Sequence, residues 1–294
     1  MCGIVGIYLK NSNLEKSLGS LLSGMLINMG SRGPDSAGFA IYKDEDDEKY
    51  KYSICLNNID FINFKENIEK YLKDSELKKN SDHVILKTLM KPSEVLKILR
   101  KNFKDISLVG YGKSIEIFKQ VGNPSEVVEK FNLKNYTGTH AIGHTRMATE
   151  SAITTNGSHP YSTGEDECLV HNGSLSNHNN LRRNLKKNGV KFNSENDTEV
   201  AAGYISNHLS KKKSLKDTLN DGLKDLDGFY TFITGTRKGF AVLRDEIACK
   251  PAVIAETNEY VAIASEFQAM AHLPKINNAK IFEPEPGQVY SWGD

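Results

Sequence analysis

The chain opens on an almost unbroken apolar run, Cys2-Gly3-Ile4-Val5-Gly6-Ile7-Tyr8-Leu9, which predicts a buried strand beginning at the terminus itself. Leu14, Leu18, Leu21, Leu22, Met25, Leu26 and Met29 then recur at three- and four-residue spacing, the stripe of an amphipathic helix, and Gly30 closes it. Ser31-Arg32-Gly33-Pro34-Asp35-Ser36 is rich in turn formers, and positions 37–42 read as the next strand. The mixed charges of 43–51 carry no apolar period and read as a solvated hairpin tip or loop. Beyond it the pattern is harder to read, with strands over 84–89, 106–111 and 115–118 and helices over 92–102 and 125–131. Positions 43–136 together look like an insertion, a small α+β subdomain set into a domain spanning 2–294.

From His140 onward short strands alternate with turn signals, interrupted by one good helix over 198–209. Its apolar stripe is Val200, Ala201, Tyr204, Ile205 and Leu209, with Asn196 or Asp197 as cap. Two hairpins follow, 229–234 with 240–244 and 251–256 with 260–265. Adjacent hairpins mean antiparallel sheet, so a layered α+β domain is expected rather than a parallel doubly wound one.

Composition narrows the classes. Apolar residues are 38% and charged residues 26% of the 294, enough to bury a core, and the formal net charge is +1. That balance gives no electrostatic reason to expect nucleic acid or an anionic membrane as partner. No apolar run approaches the roughly 18 residues of a membrane span, and the first stretch lacks the basic flank of a signal peptide. A cytoplasmic location is expected. Cys2, Cys55, Cys168 and Cys249 are scattered without a CxxC pair, so neither a zinc site nor a disulfide framework is indicated. Cys55, Cys168 and Cys249 sit among strand-like residues and read as small buried hydrophobes. His140 and His144 lie four apart on a strand-like segment with no third ligand nearby, and no metal is expected there.

Cys2 differs by position. Once Met1 is removed, one residue carries both a thiol, titrating near about 8.5, and an α-amine, near about 8. The amine can take the thiol proton directly or through one water. Nucleophile and general base then reside in a single residue.

At this point the order of motifs becomes informative. Met1-Cys2-Gly3-Ile4-Val5-Gly6 and Arg32-Gly33-Pro34-Asp35-Ser36-Ala37-Gly38 resemble the start of class II glutamine amidotransferase domains. Gly143-His144-Thr145-Arg146-Met147-Ala148-Thr149, His171-Asn172-Gly173-Ser174-Leu175 and Asn196-Asp197-Thr198-Glu199 follow in the family's order. Arg244-Asp245 with Lys250-Pro251, Ala264-Ser265-Glu266 and Pro286-Gly287-Gln288-Val289 also match. The resemblance implies an α+β fold, the N-terminal-nucleophile (Ntn) hydrolase four-layer α/β/β/α sandwich of two antiparallel sheets.

It also implies roles. Cys2 would attack the side-chain amide of L-glutamine, with the Asn172 amide and the Gly173 N–H stabilising the oxyanion. An ordinary Asn-Gly turn ending a strand describes the same pair of residues. Arg146 would clamp the α-carboxylate, Asp197 the α-ammonium, and Thr149 would touch the same amino-acid head, although an Asp before a helix is also simply its N-cap. Arg32 would order the loop beside the nucleophile. Three departures stand out: Met147 where an aromatic is common, Glu150-Ser151 where His-Gly is common, and Ala248 where a glycine is common.

The expected reaction is glutamine hydrolysis to glutamate and ammonia through a γ-glutamyl thioester. The chain shows none of the acceptor-domain motifs of asparagine, phosphoribosylamine or hexosamine synthesis. It is therefore most similar to the separate glutaminase subunit of archaeal-type glutamate synthases and N-methylglutamate synthases, which pass ammonia to a partner synthase subunit. This chain would carry no cofactor, and FMN and iron–sulfur clusters would sit on the partners. The alternatives are the glutaminase component of another amidotransferase, such as an amidophosphoribosyltransferase-like one, or a free-standing Ntn amide hydrolase.

Overall fold

The computed structural model describes residues 2–43, 48–148 and 153–293. In chain order its elements are β1 (Gly3–Leu9), α1 (Leu18–Asn28), β2 (Ser36–Tyr42), β3 (Tyr50–Cys55), α2 (Phe61–Glu69), β4 (Glu76–Asn80), β5 (His83–Thr88), α3 (Pro92–Asn102), β6 (Ser107–Gly112), β7 (Ile115–Val121) and α4 (Pro124–Lys130). There follow β8 (His140–Arg146), β9 (Cys168–Leu175), α5 (His178–Lys187), α6 (Asp197–Leu209), α7 (Leu215–Asp225), β10 (Gly228–Gly235), β11 (Phe240–Arg244), β12 (Val253–Glu256), β13 (Tyr260–Ala264), β14 (Lys280–Phe282) and β15 (Val289–Trp292).

Three sheets result, ordered β14-β12-β13-β1-β8-β2-β7, β15-β11-β10-β9 and β4-β5-β3-β6. Every strand pairing within them is antiparallel. Period-two alternation assigns the faces. Ile4 of β1, Ala40 and Tyr42 of β2, Ile142 of β8, Cys168 and Val170 of β9, and Val242 of β11 share one core between the first two sheets. The opposite faces, with Val5, Ile7, Phe39 and Ala141, pack on α1 and α4. Leu169 and Leu175 of β9 and Phe232 of β10 pack on α6 and α7. Helices, sheet, sheet, helices: this is the four-layer α/β/β/α sandwich.

The third sheet has its own core, where Tyr52, Ile54, Val84 and Leu86 meet Phe64 and Ile68 of α2 and Val95 and Leu99 of α3. It occupies 50–112, a shorter stretch than 43–136, because β7 pairs along the whole of β2 and α4 packs on the first sheet. The expected loop at 43–51 ends in strand: Lys51 lies in β3 and is fully buried. Positions 44–47 fall outside the described residues. The "one good helix" after His140 is in fact three. The apolar stripes of α5 and α7 are short, Leu181/Leu185 and Leu215/Leu219/Leu223, and are diluted by charged and amide residues. Cys55 and Cys168 are buried as expected, but Cys249 is exposed, because it follows the turn at Ala248 rather than lying in a strand.

One carboxylate gathers the main chain where the third sheet joins the sandwich. Asp166, itself buried, accepts the backbone N–H groups of Lys113 (3.0 Å), Ser114 (2.8 Å) and Ile115 (2.9 Å) where β6 hands over to β7. Its own N–H donates to the Tyr111 carbonyl at 3.0 Å. Asp166→Ala strands three main-chain donors, so unfolding in urea should show a loss of about 3 kcal/mol, with Asp166→Asn losing less because one carbonyl oxygen remains.

Candidate active site

The inward-facing series on three strands end at the same mouth of the sandwich. On β8 the series is His140, Ile142, His144, Arg146; on β9 it is Cys168, Val170, Asn172; on β1 it runs back from Tyr8 through Ile4 to Cys2. β1 and β8 pair with Gly3 opposite Thr145, placing Cys2 at the Arg146 end. The structure therefore brings together Cys2, Arg146 and Asn172 from sequence positions far apart.

The start of β1 is held from two sides. Ser265 accepts the Ile4 N–H on its hydroxyl and donates its own N–H to the Ile4 carbonyl, both at 3.0 Å. Arg32, almost fully buried, donates from Nε to the Cys2 carbonyl at 3.0 Å and forms an ion pair with Glu266. The turn that carries Arg32 also fixes the far end of β8. Asp35 donates its N–H to the Arg146 carbonyl (3.1 Å) and accepts the Ala148 N–H on its carboxylate (2.7 Å). A Cβ on Gly33 would stand 2.3 Å from the Thr145 carbonyl carbon, so only glycine lets the two segments touch. Cys2 is half-buried, with its thiol 4.0 Å from the Met147 carbonyl.

Asn172 and Gly173 lie inside β9, not in a turn. β9 is the edge of its sheet, and several of its outward backbone groups find partners beyond the sheet. Leu169 exchanges N–H and C=O with Tyr161. The His171 carbonyl accepts from His144 Nε2 at 3.0 Å, across the gap between the two sheets. The Leu175 N–H donates to Asp197 Oδ2 at 2.9 Å. Gly173 faces Tyr230, but Tyr230 spends both backbone groups on Asp245, accepting its N–H at 3.0 Å and donating to its carboxylate at 2.9 Å. The N–H and C=O of one strand residue point to the same side, so the Gly173 N–H points away from β10 to the open edge. Gly173 has φ +148°, and a Cβ there would meet the Phe229 carbonyl at 2.1 Å and His171 Nε2 at 2.8 Å. Beside it, Asn172 Nδ2 is buried without a protein acceptor.

The helix cap is Asn196, whose side chain accepts the Thr198 N–H at 2.8 Å, so Asp197 is not the cap. Arg146 is buried, and a Cβ on Gly157 would lie 3.2 Å from its Nη1, placing the 154–158 turn against the guanidinium. Thr149, Glu150 and Ser151 lie outside the described residues. Ala248 takes up the left-handed conformation, φ +52°, at the position where the resemblance leads one to expect glycine.

Several residues with no motif to announce them support this mouth. Lys119 sits on β7 in the inward series Ile115, Ile117, Lys119, the one sign in the sequence that its ammonium is buried. Its Nζ gathers the carbonyls of Asn156 (3.4 Å), Ser158 (2.8 Å) and Pro160 (3.4 Å), and burial lowers its pKa to about 8. His140 and His144 each meet a carbonyl of the second sheet through Nε2, at 2.8 Å from Thr236 and 3.0 Å from His171. Among the described residues one group has metal-ligand chemistry, Cys55, Asp82 and His83, but its carboxylate already contacts Lys130, Gln120 and His83.

Comparison with known proteins agrees with this geometry. A family model described as a glutamine amidotransferase domain matches residues 144–272. The glutamine amidotransferase-like protein GlxB of Rhizobium meliloti is 50% identical over 99% of this chain and 98% of its own length. A putative glutamine amidotransferase of Methanothermobacter thermautotrophicus is 30% identical over 98% of both. Glutamine phosphoribosylpyrophosphate amidotransferase from B. subtilis superposes with a TM-score of 0.64 at 21% identity, covering all of this chain and 47% of that one, which shows the shared fold.

Burial holds the imidazoles of His144, His159 and His171 neutral, lowering His144 to about 3, His159 well below its ordinary value and His171 below it against the pull of Asp197. An unfolded histidine titrates near about 6.5. Their contribution is thus complete above that pH and is lost as pH falls toward the folded values. For His144 alone the loss at pH 5 is about 2 kcal/mol, at 1.36 kcal/mol per unit. Urea unfolding of wild type and His144→Gln at pH 7 and pH 5 should show a pH-dependent drop smaller by that amount in the variant.

Proposed function

The chain belongs to the glutamine amidotransferase family, and from that premise we propose that it hydrolyses L-glutamine at Cys2 and delivers the ammonia to a partner synthase. The observation that carries the reading is the pairing of two donors on the edge of β9. A buried Asn172 Nδ2 and an outward Gly173 N–H stand at the mouth where β1 presents Cys2.

The chemistry follows from that placement. With Met1 removed, the α-amine of Cys2 takes the thiol proton and the thiolate attacks the side-chain amide carbon. The oxyanion that forms falls to Asn172 Nδ2 and Gly173 N–H, donors fixed before the charge appears, so no reorganisation is needed when it does. Collapse breaks the C–N bond, the amine proton goes to the departing nitrogen, and ammonia leaves behind a γ-glutamyl thioester. Water attacks that thioester, again losing its proton to the amine, and glutamate departs. Arg146 offers a guanidinium fork to the α-carboxylate and Asp197 a carboxylate to the α-ammonium, with its second oxygen anchored on Leu175. The resemblance assigns Thr149 to the same amino-acid head, and Arg32 keeps the Cys2 main chain in place.

The acceptor is a synthase of the glutamate-synthase type, with flavin and iron–sulfur chemistry on its own chains. Support for a docked partner comes from the apolar side chains left exposed next to the site, Met147 after Arg146 and Phe229 opposite Ser174. A second chain seated there would cover them and exclude water from the thioester.

Steady-state glutaminase assays of wild type and Cys2→Ala, each alone and with the co-purifying synthase chain, test both halves. Cys2→Ala should lose all activity while keeping its circular dichroism, and the partner should raise the wild-type kcat/KM. A Cys2→Ala protein that keeps most of its rate would exclude the thioester.

Arg146→Lys keeps the charge but loses the fork. It should raise KM for glutamine several-fold with a smaller change in kcat, the mark of binding shared by ground and transition states. Asn172→Ala should do the reverse, lowering kcat by roughly 10²–10³.

A further inference from the structure

The candidate groups sit directly above a buried polar cluster that the reaction itself does not use. Thr198, 1% exposed, places its hydroxyl 2.8 Å from His159 Nε2 and 2.9 Å from His171 Nδ1. His159 stacks on His144, ring centroids 3.9 Å apart and 14° from parallel. These four residues come from β8, the 154–161 segment, β9 and α6. Three of them lie close to a site residue in sequence: His144 two before Arg146, His171 next to Asn172, and Thr198 next to Asp197.

We propose that the Thr198 hydroxyl is a positioning residue for the oxyanion donors, acting through His171 on Asn172 and Gly173. The proposal rests on the reading of those two groups given above.

Two neutral imidazoles and one hydroxyl carry a limited set of protons. The hydroxyl has one to give and two lone pairs, so at least one imidazole N–H must point at Oγ1. Whichever way the proton lies, the His171 ring is oriented by Thr198 at 2.9 Å, with Asp197 Oδ1 farther from the same Nδ1 at 3.9 Å. Phe232 confines the ring edge-on at 5.0 Å, and Gly173 lies against Nε2. At the other end of the same residue, His144 holds the carbonyl. His171 is therefore fixed at both side chain and backbone, and the next peptide, which carries Asn172, inherits that orientation.

The effect should fall unequally on the two halves of glutamine recognition. Asp197 Oδ2 keeps its anchor on the Leu175 N–H, and the Asn196 cap uses the Thr198 main chain, so both survive a change of side chain; the hydroxyl reaches Asp197 Oδ1 only at 3.4 Å, a long contact beside its 2.8 and 2.9 Å bonds to the two histidines. Asn172 Nδ2 has no comparable support. Loss of the hydroxyl should therefore appear in kcat and leave KM nearly untouched.

The test compares wild type, Thr198→Val, which matches the shape without the hydroxyl, and Thr198→Ser, which keeps the hydroxyl without the methyl. Cys2→Ala serves as the blank. Thr198→Val should lower kcat about 10-fold, less than the roughly 10²–10³ for removing an oxyanion donor outright, with KM within about 2-fold by comparison with a binding defect. Thr198→Ser should recover most of the rate. Protection of Cys2 by glutamine against iodoacetamide reports binding without turnover and should be the same in all three. Unchanged kcat in Thr198→Val, a rise confined to KM, or a Thr198→Ser as impaired as the valine variant each overturns the proposal while leaving a Cys2-dependent glutaminase standing. A wild-type rate equal to the Cys2→Ala blank refutes the glutaminase reading instead. If Thr198→Val does not fold, His171→Asn, which keeps a polar atom near the Nδ1 position, should retain kcat and His171→Phe should lose it. Equal rates in that pair overturn the proposal as well.

Discussion

The proposed nucleophile belongs to one sheet and the groups that would receive its oxyanion belong to another, so the register between the two sheets governs everything at the mouth. The layer between them is largely apolar, and hydrophobic attraction is non-directional; it holds the sheets together without dictating how far one slides on the other. Direction comes from a few polar contacts that cross the layer. His144 grips the His171 carbonyl, His140 grips the Thr236 carbonyl, and the Tyr42 hydroxyl meets Cys168 Sγ at 3.1 Å. Tyr42 in turn stacks on His140 at 4.2 Å. A carbonyl oxygen only accepts, so both histidines must carry their proton on Nε2, and a neutral ring costs far less to bury than a charged one.

Much of this was legible in the chain, for a definite reason. Cys2, Arg146 and Asn172 were picked out by their motifs, because β1, β8 and β9 are buried on both faces and show no clean polar–apolar alternation. Motif order supplied which ends of the strands matter. What could not be read is tertiary. Nothing local to Thr198 says that two histidines, 39 and 27 residues away in sequence, share its hydroxyl. Lys119 lies one residue past the strand expected over 115–118, although it continues the inward series of Ile115 and Ile117. α5 and α7 were missed because two or three leucines per helix are enough when the neighbouring sheet supplies the rest of the core. Lys51 was misplaced for the opposite reason: charge suggested solvent, but its long aliphatic stem suits a buried strand when the ammonium finds acceptors.

An exposed sheet edge normally invites pairing with another strand. On β9 that hazard is removed piecemeal: Tyr161 covers Leu169, His144 takes the His171 carbonyl, and Asp197 takes the Leu175 N–H. The stretch at Asn172 and Gly173 is the part of the edge left to other chemistry. Fold protection and the reading of the site thus draw on the same backbone groups.

The link between β2 and β7 carries a different consequence. Tyr42 pairs with Ile115, and Lys43 donates its N–H to the Ser114 carbonyl at 3.1 Å, so the two strands form a hairpin whose turn is an entire unit of one sheet and two helices with its own core. Because entry and exit are neighbours, lengthening or shortening what hangs between them changes the closure entropy only logarithmically. The register of the catalytic sandwich does not see that length. The segment 50–112 is therefore free to diverge in size and surface among related chains at little thermodynamic cost, and differences in what such proteins touch can accumulate there while the mouth at Cys2 stays as it is.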